Sequence, residues 1–143
     1  MLKPLIVLFL SLTLFDCNVN NENIDQNKIK LNRVCDSFMT AFSRGQYNEA
    51  MDLLRQNSVI EKEKIDTLLA TIRRESINVF PAYGKINSYE FILERKIKDF
   101  VSKRFYILKF DKYPIKVDFT LYRSGYGWII TAFSYDSELV ELL

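Results

Sequence analysis

Ile115-Lys116-Val117-Asp118-Phe119-Thr120-Leu121-Tyr122-Arg123, followed by Ser124-Gly125-Tyr126-Gly127, is the stretch that decides the fold. Its residues alternate one by one. Ile115, Val117, Phe119 and Leu121 face one way, and Lys116, Asp118, Thr120 and Tyr122 face the other. A period of two marks a strand with one buried face. Ser124-Gly125-Tyr126-Gly127 has the residues of a hairpin turn, so the next apolar run, 127–135, returns antiparallel.

Upstream, residues 85–95 and 103–110 are rich in Ile, Phe and Tyr and read as two further strands. The charged run Glu94-Arg95-Lys96-Ile97-Lys98-Asp99 reads as a solvated turn between them. Both strands carry apolar residues on both faces. That is expected where helices cover one face and the other bends into a pocket or meets a partner. Which side chains point inward stays open, because a one-residue slip in register reverses every one.

Before residue 84 the period is helical. Leu31, Val34, Cys35, Phe38, Ala41 and Phe42 recur at three- and four-residue steps and predict a helix over 28–44. Gly45 suits its end. A second helix over 47–56 carries Ala50, Met51, Leu53 and Leu54 on one side. Ser58 with Glu61 reads as a capping box opening a third helix. Its stripe is Ile65, Leu68, Leu69, Ile72, Val79 and Phe80, and Pro81 ends it. Helices first and an antiparallel meander after give an α+β domain, N-terminal helices packed on a curved four-stranded sheet.

The chain opens with Lys3 and an apolar run, Leu5 to Phe15, that stops at Asp16-Cys17. A basic start and an apolar stretch of about 7–15 residues form an export leader. At about 1.5 Å per residue the run is too short to cross a hydrocarbon core of about 30 Å. No small-residue cleavage pattern follows it; a cysteine stands there instead. Leu14-Phe15-Asp16-Cys17 resembles a bacterial lipobox, although Asp16 takes the place usually held by a small residue. The resemblance implies a lipid on Cys17 and a protein exported to the cell envelope and anchored to a bacterial membrane. The expected organisation is a leader over 1–17, a polar Asn-rich tether over 18–27 and one domain over 28–143.

Composition removes whole classes of chemistry. The chain has no histidine, two cysteines, four scattered glycines and a net charge of +2. Histidine-based nucleophilic triads are excluded. So is histidine-ligated zinc, and two separated cysteines make no cysteine-only metal site. There is no Gly-rich phosphate loop and hence no expected cofactor. No basic block marks a nucleic-acid surface. With Cys17 lipidated, Cys35 has no disulfide partner and reads as a small buried hydrophobe.

Three segments carry a family resemblance. They are Ala41-Phe42-Ser43-Arg44-Gly45-Gln46-Tyr47-Asn48-Glu49-Ala50, Tyr83-Gly84-Lys85-Ile86-Asn87-Ser88-Tyr89-Glu90, and Gly127-Trp128-Ile129-Ile130 with Phe133-Ser134-Tyr135. They resemble the cone-shaped, cystatin-like superfamily typified by nuclear transport factor two, in its small exported bacterial branch. The resemblance implies a pocket between sheet and helices. It implies no activity, since that fold carries many functions.

Polar strand residues that could line such a pocket are Glu90, Glu94, Arg104, Tyr106, Asp118 and Tyr122. Enzymes of this kind pair a carboxylate base with a donor aimed at a developing oxyanion. Asp118 with Tyr106 or Tyr122 is the best such pair. The simpler reading keeps the Asp118 face wet, with Asp118 paired to a cross-strand base. Trp128, flanked by Tyr122, Tyr126 and Tyr135, reads as packing before it reads as a ligand platform.

The leading expectation is therefore a noncatalytic, membrane-tethered binding or assembly module. Its sheet would meet a protein partner or a second copy. The alternatives are a small-molecule-binding protein or proton-transfer enzyme, and a purely structural or stress-related envelope protein with no ligand. A cavity of about 300 Å³ or more enclosing Asp118 or Glu94 favours the ligand-binding or enzymatic alternative. A filled interior with an apolar patch on the outer sheet face favours the first.

Overall fold

The computed structural model describes the backbone of residues 19–143 and the side chains of residues 25–143. The leader and Cys17 lie outside the described residues. Four helices come first: α1 (Val19–Ser43), α2 (Tyr47–Asn57), α3 (Lys62–Asn78) and the single turn α4 (Phe80–Tyr83). Four strands follow: β1 (Ile86–Ile97), β2 (Val101–Phe110), β3 (Pro114–Ser124) and β4 (Gly127–Asp136). They form one antiparallel sheet in the order β1-β2-β3-β4. A short 3₁₀ turn (Val140–Leu142) closes the chain. The α+β class and the strand meander match the reading of the sequence.

The alternation of β3 sets the core. Ile115, Val117, Phe119 and Leu121 are all buried on the inner face, against Leu31, Cys35, Phe38, Met39 and Phe42 of α1. Phe38 lies edge-on to Phe119 at 5.1 Å between ring centroids. Burying each such side chain contributes about 1.5–3 kcal/mol. Ala50, Met51 and Leu54 of α2 and Ile65 and Ile72 of α3 complete the core. Of the expected α3 stripe, Leu68 and Leu69 are half-buried and Val79 is exposed.

Four expectations are corrected. α1 begins at Val19, so residues 19–27 are helical where a polar tether was expected. The junction is held by Asn27, whose Oδ1 accepts the Trp128 backbone N–H at 2.5 Å. Gly127, at φ 119°, makes that approach possible, since a Cβ there would sit 2.8 Å from Asn27 Oδ1.

The Ser58 capping box does not form. Glu61 is the N-cap of α3 and makes no side-chain cap bond. Ser58 instead bridges to the β4 edge, where Val59 N–H donates to Ile130 O at 3.0 Å. The strand edge satisfies the backbone that a cap was expected to satisfy.

Third, α3 stops at Asn78, and Pro81 sits in the first turn of α4, where its missing N–H costs nothing. Fourth, the charged run 94–99 is mostly strand. β1 pairs with β2 as far as Ile97↔Val101, leaving a turn that begins at Lys98 with φ 52°.

Candidate functional site

Two strand irregularities decide which polar residues meet. β1 carries an extra residue between Phe91 and Leu93, so Glu90 pairs with Ile107 while Glu94 pairs with Arg104. Such a bulge reverses the facing of all that follows. Glu90 therefore points to the outer face, where it forms an ion pair with Lys109. Glu94, Arg104 and Tyr106 point inward, beneath α1. On β4 a second extra residue, Thr131, separates Ile130 from Ala132.

The members of the inward cluster bond to one another, with Asp36 half-exposed at its rim. Tyr106 is fully buried, and its O–H donates to Asp36 Oδ1 of α1 at 2.6 Å. Arg104 donates to Tyr106 Oη from Nε at 3.2 Å and from Nη2 at 3.1 Å. Its Nη1 donates to Glu94 Oε2 at 3.0 Å. Lys28 Nζ of α1 lies 2.6 Å from Glu94 Oε1, which Ser102 also reaches. Arg104 further stacks over the Phe91 ring at 4.4 Å. Two cations and two carboxylates thus balance. Among the described residues no buried side-chain nitrogen or oxygen lacks a partner.

Burial pushes the Glu94 carboxyl up, but hydrogen bonds from Lys28 and Ser102 and the charges of Lys28 and Arg104 outweigh it. The carboxyl is held below its usual range. Burial pushes the Tyr106 phenol up, and its bond to Asp36 pushes it further, against the opposing effect of Arg104. Burial raises the Cys35 thiol to about 12, so it is protonated at neutral pH and is no nucleophile. A carboxylate kept ionised by three donors and a phenol kept neutral by burial are poor proton carriers. Tyr106 is sealed from solvent, and Glu94 keeps only a small contact with it.

Asp118 lies on the other side of the sheet, opposite Phe105, whereas Tyr106 lies opposite Val117. The pairing of Asp118 with Tyr106 is therefore excluded by register. Tyr122 shares the outer face with Asp118 but is four residues away and exposed. The Asp118 face is not wet as expected: Asp118 is 3 % exposed and Lys116 4 %. The C-terminal turn brings Glu141 to 2.9 Å from Lys116 Nζ and 3.3 Å from Lys103 Nζ. Asp118 does pair across the strands, with Lys103 at 3.4 Å, and accepts Ser134 O–H at 2.7 Å.

Trp128 is half-buried beside the core, and Lys28 Nζ sits 5.3 Å above its ring. It borders an open groove of about 420 Å³ with Val59, Tyr122, Tyr126 and Ile129. A second groove, of about 410 Å³, runs along Arg95, Ile97, Lys103 and Phe105 on the outer face. A third, of about 220 Å³, separates α3 from β4 near Glu75 and Tyr135. Neither Glu94 nor Asp118 lines any of these grooves. No group of three or more metal-ligating side chains exists among the described residues.

Asp36, Lys28 and Ser102 were not among the residues singled out from sequence. A signal existed: Lys28, Asn32 and Asp36 recur every four residues, a polar stripe beside the apolar face of α1. Comparison with protein-family models, with curated proteins and with solved structures finds no match to this chain.

Proposed function

We propose that this chain is a noncatalytic binding or assembly module, held at the bacterial cell envelope by lipid on Cys17 and related to the nuclear-transport-factor-two-like fold its sequence resembles. The observation that carries this reading is the mutually bonded cluster of Asp36, Tyr106, Arg104 and Glu94. In a catalytic cup these groups would aim at a substrate; here each is occupied by another. Contact with a partner then falls to the surface, and the outer sheet face carries exposed apolar side chains, among them Ile97 and Tyr122.

The tether is tested in a bacterium grown on labelled palmitate. The full-length chain takes up label and sediments with membranes, and Cys17→Ser does neither. Label retained by Cys17→Ser overturns the lipid anchor.

A further inference from the structure

The β1–β2 and β3–β4 hairpins turn at the same end of the sheet. Arg123 N–H donates to Phe100 O at 2.7 Å, tying the β3 end to the β1–β2 turn. At that end the register runs Ile97↔Val101, Val101↔Tyr122 and Tyr122↔Ile129. The result is one apolar row crossing all four strands on the outer face. Ile97 is 63 % exposed, Tyr122 44 %, and Phe100 in the adjoining turn 45 %. Tyr126, at the tip of the other hairpin, is wholly exposed. Monomeric proteins rarely leave so many large apolar groups together without a partner.

The charges beside this row are basic. The end of β1 and the turn after it, Arg95-Lys96-Ile97-Lys98-Asp99-Phe100, hold three cations and one carboxylate, with Arg95 on the outer face beside Ile97 and Lys96 on the opposite face. Tyrosines and other large apolar groups rimmed by lysine and arginine suit the boundary between acyl chains and anionic headgroups. Each basic residue near such a surface adds to the attraction.

The chain also arrives from this side. α1 runs alongside β4, with Phe42 near Tyr135 at one end and Asn27 bonded to Trp128 at the other. The residues of α1 before Asn27 rise about 12 Å, continuing past the hairpin end. Val19 is two residues after Cys17. The hairpin end is thus the part of the domain nearest the start of α1. The turn between β2 and β3, which carries Tyr113, is at the far end.

We infer that the hairpin end of the sheet rests on an anionic phospholipid surface, with Ile97, Phe100, Tyr122 and Tyr126 entering the interface and Arg95 and Lys98 meeting headgroups. The inference rests on the envelope-tether reading and adds the orientation of the domain.

The chain has a single tryptophan, Trp128, which allows a clean probe. Full-length chains carrying Trp128→Phe with either Tyr126→Trp or Tyr113→Trp are extracted from membranes. They are reconstituted in phosphatidylcholine–phosphatidylglycerol vesicles containing lipids with brominated acyl chains. The expected result is quenching and a blue shift for tryptophan at 126 and neither at 113. Both effects at 126 weaken in pure phosphatidylcholine and at 1 M salt. Vesicle-bound protein quenched equally at the two positions, or more at 113, overturns the orientation and leaves the tether standing. Protein that does not float with vesicles overturns the tether and the orientation together.

Discussion

On the inner face of the sheet, Glu94 and Arg104 lie beneath α1, where Lys28, Asp36 and Tyr106 complete their coordination. On the outer face, Lys116 and Asp118 are as deeply buried as Arg104 and more so than Glu94, yet the cover over Lys116 is the C-terminal turn that carries Glu141. Strand alternation created both clusters. What differs is the lid: a helix of 25 residues on one side and a turn of 3 on the other. A charge under a packed helix, as Arg104 is, regains little water when its partner is lost. A charge under a single turn regains it, because that turn lifts at little expense.

The largest expected effect is therefore on the inner side. Glu94→Ala strands Arg104 and Lys28, and a loss of about 2 kcal/mol is expected in urea unfolding. That is less than the cost of breaking a fully buried pair, because Glu94 and Lys28 keep some contact with water. Next, Glu94→Leu combined with Arg104→Met removes both charges. It should recover most of what Glu94→Ala loses, and a double variant less stable than either single one would break the comparison.

The pH dependence follows from the same cluster. The folded Glu94 carboxyl titrates below its unfolded value of about 4.3. Its contribution is then fully present above that unfolded value and is lost as pH falls through the folded one. Wild type and Glu94→Gln should differ in melting temperature at pH 7 and converge as acid protonates the wild-type carboxyl. A gap that persists in acid would mean that Glu94 acts by shape and not by charge.

The smallest effect belongs to the outer face. Lys116 and Lys103 hold the Glu141 carboxyl below its usual range, but that carboxylate is exposed and screened. Glu141→Ala should leave the melting temperature close to that of wild type. A loss matching that of Glu94→Ala would show that the C-terminal turn seals its face as firmly as α1 seals the other.

Glu90 and Glu94 show where the sequence stops being legible. Four residues apart, they share a face in any regular strand, and both were candidate pocket residues. The extra residue at Ile92 sends them to opposite sides. No local pattern marks that bulge, because Phe91-Ile92-Leu93 is apolar throughout. Asp118 and Tyr106 were likewise separable only by pairing. Strand membership was readable from residue type; cross-strand neighbours were not, because they depend on register with a segment ten or more residues distant. In the helices, the α1 core face was readable from spacing, while Ser58 was misjudged because the β4 edge competed for its backbone.

By itself the sequence determined the order of elements, the inward face of β3, the chemistry that a chain without histidine cannot perform and the candidacy of an N-terminal anchor. These follow from residue types and near-neighbour periods, which local sterics and hydrophobicity enforce. Only the tertiary structure decided that Glu94, Arg104 and Tyr106 bond to Asp36 and Lys28, that Lys116 and Asp118 are covered, and that the β1–β2 and β3–β4 hairpins place their apolar residues at one end. Those outcomes depend on bulges, on register and on what packs over each face, and they exist only once distant segments have met.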